Sequence, residues 1–236
     1  GSHGDISPFI ALAEGLQTAG HQVTLYMTSV VDVDYSTSIP DSGVHIVQIA
    51  SYILPSASQI TKYYQFINEK NPLKQAKLLF SEFFLPIENE MYEASVKLCQ
   101  INDIVIGHTI HYTLQTAAEK TKTPYVSVML AHIFPTTNQP PVGFPRIGKW
   151  GNIFFWWLIR TILNKSLKPT IDMLRIKHGL EVAKDLLTDV WSSGKLTLIA
   201  VSPEICKQQD DWPENIQVCG FLNMKNTPNE GSISVQ

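Results

Sequence analysis

The first 27 residues, GSHGDISPFIALAEGLQTAGHQVTLYM, constrain the fold of this chain more than any other segment. A glycine-containing stretch, Gly1 to Asp5, precedes Ser7, a good N-cap, and Pro8, which suits the first position of a helix. Phe9, Leu12, Ala13 and Leu16 then recur at i, i+3, i+4 and i+7, one apolar face of a helix. Gly20 predicts a left-handed cap that closes it. His21 and Gln22 lead into VTLYM, a β-branched and aromatic strand. Turn, helix and strand in that order open a nucleotide-fold unit, in which backbone N–H groups and the positive helix end face a phosphate or a reacting group. The strand that should precede the turn finds no residues ahead of Gly1, so the first strand is expected to be missing. Gly1 to His3 read as native turn or as a tag scar, and those three residues alone leave both readings open.

Strand-like runs recur at Val23–Met27, Val44–Ile49, Ile104–Ile106, Tyr125–Met129, Leu196–Val201 and Ile216–Cys219. Helical patterns lie between most of them, over Pro8–Ala19, Ser58–Glu69, Leu73–Gln100, Thr113–Lys122, Ile153–Lys165, Pro169–His178 and Val182–Ser192. Pro86 must interrupt or kink the longest of these. This alternation predicts an α/β fold, a Rossmann-like parallel sheet with helices on both faces.

Charge and cysteine content exclude several classes. A net charge of −3 gives no electrostatic footprint for nucleic acid. Cys99, Cys206 and Cys219 are far apart and odd in number, so they predict buried thiols in a reducing compartment rather than disulfides or a metal site. No segment reaches the ~18 apolar residues of a membrane span. The nearest is IFFWWLI at Ile153–Ile159, ended by Arg160, which is long enough for a buried or an interfacial helix. A cytoplasmic protein with membrane association left open is the resulting expectation.

The one long loop, His132 to Gly148, carries Pro135, Pro140, Pro141 and Pro145 and follows a strand's C-terminal end, where open α/β sheets bind ligands. Phe154, Phe155, Trp156 and Trp157 are consecutive, so a helix cannot bury all four on one face. One or two must look toward ligand, partner domain or membrane surface. The polar tail from Asn223 to Gln236 reads as a linker to a second domain outside the chain.

Four segments, in order, resemble the N-terminal domain of GT-B-fold glycosyltransferases of the UDP-glycosyltransferase superfamily, specifically the sterol, macrolide, glycopeptide and rhamnolipid type. They are Gly4-Asp5-Ile6-Ser7-Pro8 with Gly20-His21, Asp103–Gly107 followed by Thr123-Pro124-Tyr125-Val126, Pro140-Pro141 with the aromatic helix and His178–Glu181, and Asp211–Phe221. The likeness covers nearly the whole chain. It implies the N-terminal half of a GT-B fold, with residues 1–222 forming an acceptor-binding domain and 223–236 a linker to an absent nucleotide-sugar domain. The implied activity is inverting transfer of a sugar from a UDP-sugar to a hydroxyl of an apolar acceptor, a sterol, lipid or polyketide-like aglycone. UDP-sugar serves as co-substrate, with no other cofactor and no metal, and this part alone is expected to be inactive.

The resemblance also implies site roles. Asp5 stands where the family carries its catalytic base, and acts as a carboxylate without a His–Asp dyad. A carboxylate is a weak base near its ordinary pKa of ~3.9, yet burial against the acceptor raises it; as a residue alone, Asp5 reads equally as a helix cap. Gly1, Ser2 and Gly4 are expected to contact donor phosphate. His3 is a rival base by its pKa, but at its position it is assigned to acceptor or phosphate contact. His108, His111, His132, Phe134, Trp156 and Trp157 are expected to line the acceptor pocket. The spacing His108-x-x-His111 lacks a third metal ligand. The aromatic residues read alternatively as core. Two other functions compete: a non-catalytic α/β binding module, and one subunit of a split glycosyltransferase. A dinucleotide-binding oxidoreductase is disfavoured because GSHGD is not G-x-G-x-x-G.

Overall fold

The computed structural model describes residues 3–27, 43–49 and 57–223. Gly1, Ser2 and the part of the expected linker from 224 to 236 lie outside the described residues. The chain divides into two compact units, one comprising residues 1–61 with 221–236 and the other residues 62–220.

In the first unit, helix α1 spans His3–Thr18 and is followed by strand β1, Thr24–Met27. Strand β2, His45–Gln48, pairs with β1 in parallel, Thr24 opposite His45. The helix begins well upstream of its expected start. Ser7 is therefore not the N-cap and Pro8 is not at the first position, but inside the helix. The physical reason is the apolar stripe that the longer helix completes. Ile6, Ile10 and Ala13 are its buried positions, and Ile6 and Ile10 pack with Met27 against Leu25, Val44 and Ile46. Starting at Pro8 would have left Ile6 out, and Pro8 forfeits only its own bond to the carbonyl of residue 4. Of the expected face, Ala13 is buried, while Phe9, Leu12 and Leu16 are half-buried.

The end of α1 is as expected. Gly20 has φ +94°, with Gly20 N–H donating to Gln17 C=O at 3.0 Å and His21 N–H to Leu16 C=O at 3.1 Å. This pair of bonds is a Schellman cap, which needs a left-handed residue at Gly20.

The second unit begins within helix α2, Ala57–Asn68, and continues through α3, Pro72–Leu78. Pro86 breaks the long helical pattern as the sequence predicts. A π-helical turn over Leu79–Phe84 and a 3₁₀ turn over Leu85–Ile87 separate α3 from α4, Glu88–Ile101. The π turn buries Phe80, Phe83 and Phe84 together, and Phe80 stacks on Tyr112 at 5.4 Å.

Four parallel strands form this unit's sheet in the order β3-β4-β5-β6: Val105–His108, Tyr125–Met129, Leu196–Ile199 and Ile216–Val218. All five residues of β4 are buried, so both faces of the sheet are covered there. Helix α5, Tyr112–Thr121, connects β3 to β4. Helices α6, Lys149–Ser166, and α7, Lys168–Lys177, fill the long crossover from β4 to β5. Three buried hydroxyls bind backbone close to the sheet: Thr109 and Ser127 donate to the Trp191 carbonyl, and Ser193 to that of Tyr125.

Two local expectations are corrected. The helix expected over Val182–Ser192 is a single π-helical turn, Leu186–Val190. Asp189 accepts the N–H groups of Lys184 and Asp185, and Asp185 caps the turn, so side chains take the groups that a helix upstream would have used. Cys99 and Cys206 are buried thiols, but Cys219 is exposed, just past the short β6.

Candidate functional site

The loop that leaves the C-terminal end of β4 runs into α6, and together they border a cleft of about 520 Å³. Its lining joins Pro135, Thr136 and Thr137 of the loop to Ile153, Trp156, Trp157, Arg160, Thr161 and Asn164 of α6, with Asp185 and Asp211 at its edges. Aromatic and aliphatic walls with a few fixed polar groups are the usual make-up of a small-molecule site.

The loop wall is held by the segment before β6. Asp211 accepts from the Thr136 hydroxyl at 2.7 Å and from the Thr137 N–H at 2.6 Å. Partial burial pushes its carboxyl up, but the bonds from Thr137 and Thr136 outweigh this and hold it below the usual carboxylate range. Trp212 donates its indole N–H to Pro135 C=O at 2.9 Å and packs its ring against His132 and Phe134. On the other side, Trp156 is buried and donates to Gln139 C=O at 2.9 Å. Asn152 donates to Thr137 C=O at 2.9 Å.

Asp185 ties α6 to the turn that follows. Its Oδ2 accepts from Arg160 Nε at 2.9 Å and Asn164 Nδ2 at 2.8 Å; its Oδ1 accepts from Leu187 N–H at 3.0 Å and Thr188 N–H at 3.1 Å. Burial alone would raise this carboxyl, but the bonds from Asn164, Arg160 and Thr188 carry it below its ordinary value. An ionised carboxylate with this many donors is a fixed structural anion, not a proton acceptor for a reaction.

The structure sorts the expected site residues. Trp156 and Trp157 line the cleft, one buried and the other 58% exposed. His132 and Phe134 are buried behind the loop wall, packed on Trp212. His132 Nδ1 lies 3.1 Å from Cys206 Sγ. Burial lowers the His132 pKa and raises that of Cys206, so the two meet as neutral groups. His108 ends β3, accepts from the Ile110 N–H, and has its ring 6.2 Å from that of His111, which stacks on Phe84. Neither histidine is part of the cleft lining. Asp5 is half-buried in the first turn of α1, and Gly4 is exposed beside it. His3 begins the same helix. The glycine-containing stretch before α1 is thus largely helix, not turn, from His3 onward.

Sequence reasoning missed Asp185, Arg160 and Asn164 as cleft residues. The Asp185-Leu186-Leu187-Thr188 run carries a cap signature, an Asp whose side chain reaches two and three residues ahead. It does not announce that the same carboxylate reaches back to α6.

An α/β domain with a ligand-sized cleft beside a strand's C-terminal end is the class that fold and site define. The Glycosyltransferase family 28 N-terminal domain matches residues 1–131, over half of the chain, which therefore belongs to that family. Sterol 3-beta-glucosyltransferases of Debaryomyces hansenii and Candida albicans are each 26% identical to it over 225 and 226 residues, and that of Pichia angusta is 25% identical over 224. Each alignment covers 94% of this chain, but the chain spans only 14–17% of these relatives' own length. Among solved structures, the glycosyltransferase of kitacinnamycin aligns with all of this chain and 53% of its own, at a TM-score of 0.56 and 14% identity. The calicheamicin glycosyltransferase CalG4 aligns with 94% of this chain and 49% of its own, at 0.55 and 13%. These likenesses show the fold, that of an N-terminal GT-B domain.

Proposed function

We propose that this chain is the acceptor-binding part of an inverting glycosyltransferase that moves a sugar from a UDP-sugar to a hydroxyl of an apolar acceptor. The observation that carries the reading is the Trp156–Trp157 cleft on a family 28 N-terminal fold. The sterol 3-beta-glucosyltransferase relatives support an acceptor of the sterol or lipid kind, since 94% of this chain aligns with them. Apolar walls would hold the aglycone, and the wall polar groups would orient it.

Asp5 is the base in this reading. It takes the acceptor proton as the new bond to the anomeric carbon forms, while the bond to the UDP oxygen breaks and the diphosphate leaves. A carboxylate serves because the hydroxyl becomes acidic only late in bond formation. Gly4, with Gly1 and Ser2, is assigned to the donor phosphates, and His3 to acceptor or phosphate. The donor domain lies outside this chain. No metal takes part. The Asp5→Asn variant of the complete enzyme should fold normally and lose ~100-fold or more in turnover with UDP-sugar and acceptor. Turnover within a factor of a few of the parent would remove Asp5 from this role.

A further inference from the structure

The cleft between the 132–148 loop and α6 has an unbalanced charge. Arg160, Asp185 and Asp211 are the ionisable side chains of its lining. Arg160 and Asp185 answer each other through the 2.9 Å bond from Arg160 Nε, and Asn164, Leu187 and Thr188 hold the same carboxylate. Asp211 is left over. Among the described residues it has no ion-pair partner, and the bonds it accepts come from neutral donors, the Thr136 hydroxyl and the Thr137 N–H. Those bonds favour its ionised form. The lining therefore carries a net negative charge.

The surroundings do not cancel it. The segment from Lys207 to Glu214 holds three carboxylates against one lysine. Arg146 and Lys149 line a separate depression that shares only Thr137 with the cleft. Asp211 is an exposed residue, and a carboxylate has more lone pairs than Thr136 and Thr137 use. Pro135, Ile153, Trp156 and Trp157 make the cleft walls apolar. Such walls displace water and strengthen a charge–charge contact relative to bulk solvent. Trp157 is largely exposed in the same lining, and an indole face attracts a cation as well. An anion would meet the opposite situation, a net negative lining and a guanidinium whose charge is already matched. The Nη donors of Arg160 remain suited to a neutral oxygen.

We propose that the cleft selects acceptors that carry a protonated amine, with Asp211 as the counter-ion. The amine is a second group on the acceptor, separate from the hydroxyl that receives the sugar. The same carboxylate rejects anionic amphiphiles. The proposal rests on the acceptor reading of this cleft and adds the charge of the molecule it takes. Asp211 is then a specificity residue in contact with the acceptor.

The test uses one hydroxylated steroid nucleus whose side chain ends in an amine, a primary amide or a carboxylate. Each probe is titrated into the 236-residue chain and followed by tryptophan fluorescence and by the amide signals of Thr136 and Ile153. The amine is expected to bind about fivefold tighter than the amide, the size of one partly exposed ion pair, and the carboxylate weaker than the amide. Added salt should shrink the amine's advantage. Asp211→Asn should bring amine and amide within about twofold of each other. Because that change also touches the loop wall, Thr161→Lys is the second variant. It adds a cation to the lining, leaves the bonds of Asp211 in place, and should let the carboxylate bind at least as well as the amine. Equal binding of amine and carboxylate by the parent, with the amide still shifting Thr136 and Ile153, would overturn this proposal and leave the acceptor reading standing. An amine preference that both variants retain would also overturn it. No binding of any of the three probes would contradict the acceptor reading itself, and the proposal with it.

Discussion

Removing the Asp185 carboxylate should loosen the cleft and cost the second unit several kcal/mol. Asp185→Ala deletes a cap with bonds to Leu187 and Thr188, worth about 1 kcal/mol when a capping Asp becomes Ala. It also strips the carboxylate from Arg160 and Asn164. Hydrogen bonds to a charged group contribute ~1.5–3 kcal/mol each when buried, but the Arg160 side chain is 41% exposed and regains water, so roughly 1–2 kcal/mol is expected for the pair. The sum is about 2–3 kcal/mol, or a fall in Tm of roughly 5–10 °C for a unit of this size. Calorimetry or thermal circular dichroism reads it directly. The pH dependence adds a signature. Since the folded-state pKa of Asp185 is depressed, its contribution is present above the unfolded carboxylate value and is lost as the pH falls through the lower folded one. The gap between parent and variant should therefore narrow below about pH 4. A variant within ~0.5 kcal/mol of the parent at neutral pH, with no narrowing in acid, would refute the assignment of Asp185 as the tie between α6 and its turn.

Three further outcomes follow from other parts of the structure. Lys122 ends α5 with φ +61°, so Lys122→Gly should stabilise the chain by about 0.5 kcal/mol after the entropy of the added glycine is counted; a loss of stability in chemical denaturation would contradict the capping account. Arg175 is 5% exposed and gives its donors to Glu119, Gln115 and the Glu181 carbonyl, but Glu119 is 42% exposed and regains water, so Arg175→Met should cost about 1–2 kcal/mol, and a neutral result would show that the pair is not needed for stability. The 236-residue chain mixed with UDP-sugar and acceptor should form no glycoside, because the donor-binding domain is proposed to lie outside it; efficient product formation would overturn the division of labour.

The strands were legible because β-branched runs such as Tyr125–Met129 have few alternatives, and Pro86 marked a break that its missing N–H makes unavoidable. Gly20 was legible for the same kind of reason, a left-handed position that closes a helix. The start of α1 was not. Ser7-Pro8 is a strong local signal, and it lost to the burial of Ile6 against β1 and β2, a contact between segments far apart in sequence. The 182–192 segment has helical periodicity, yet Asp185 and Asp189 take its backbone groups locally. At the site, the loop and the aromatic helix were readable from a proline-rich stretch beside four consecutive aromatic residues. Which of those aromatics face the cleft is set by helix phase and by the Gln139 carbonyl that Trp156 meets. The burial of His132 and Phe134 depends on Trp212, a partner about 80 residues on, and no local pattern predicts it.

The most direct measurement is titration of the chain with a hydrophobic hydroxyl-bearing aglycone, a sterol or a polyketide core, followed by tryptophan fluorescence and by amide signals in NMR. Binding with a Kd on the order of 10 μM to 1 mM is expected for an acceptor site without its closing domain. Signals of Thr136, Thr137, Ile153 and Thr161 should move, and Trp157→Ala should weaken binding about tenfold, as the loss of one aromatic wall. No response to any apolar acceptor, or shifts confined to residues away from this cleft with Trp157→Ala binding as tightly as the parent, would contradict the placement of the acceptor between the 132–148 loop and α6.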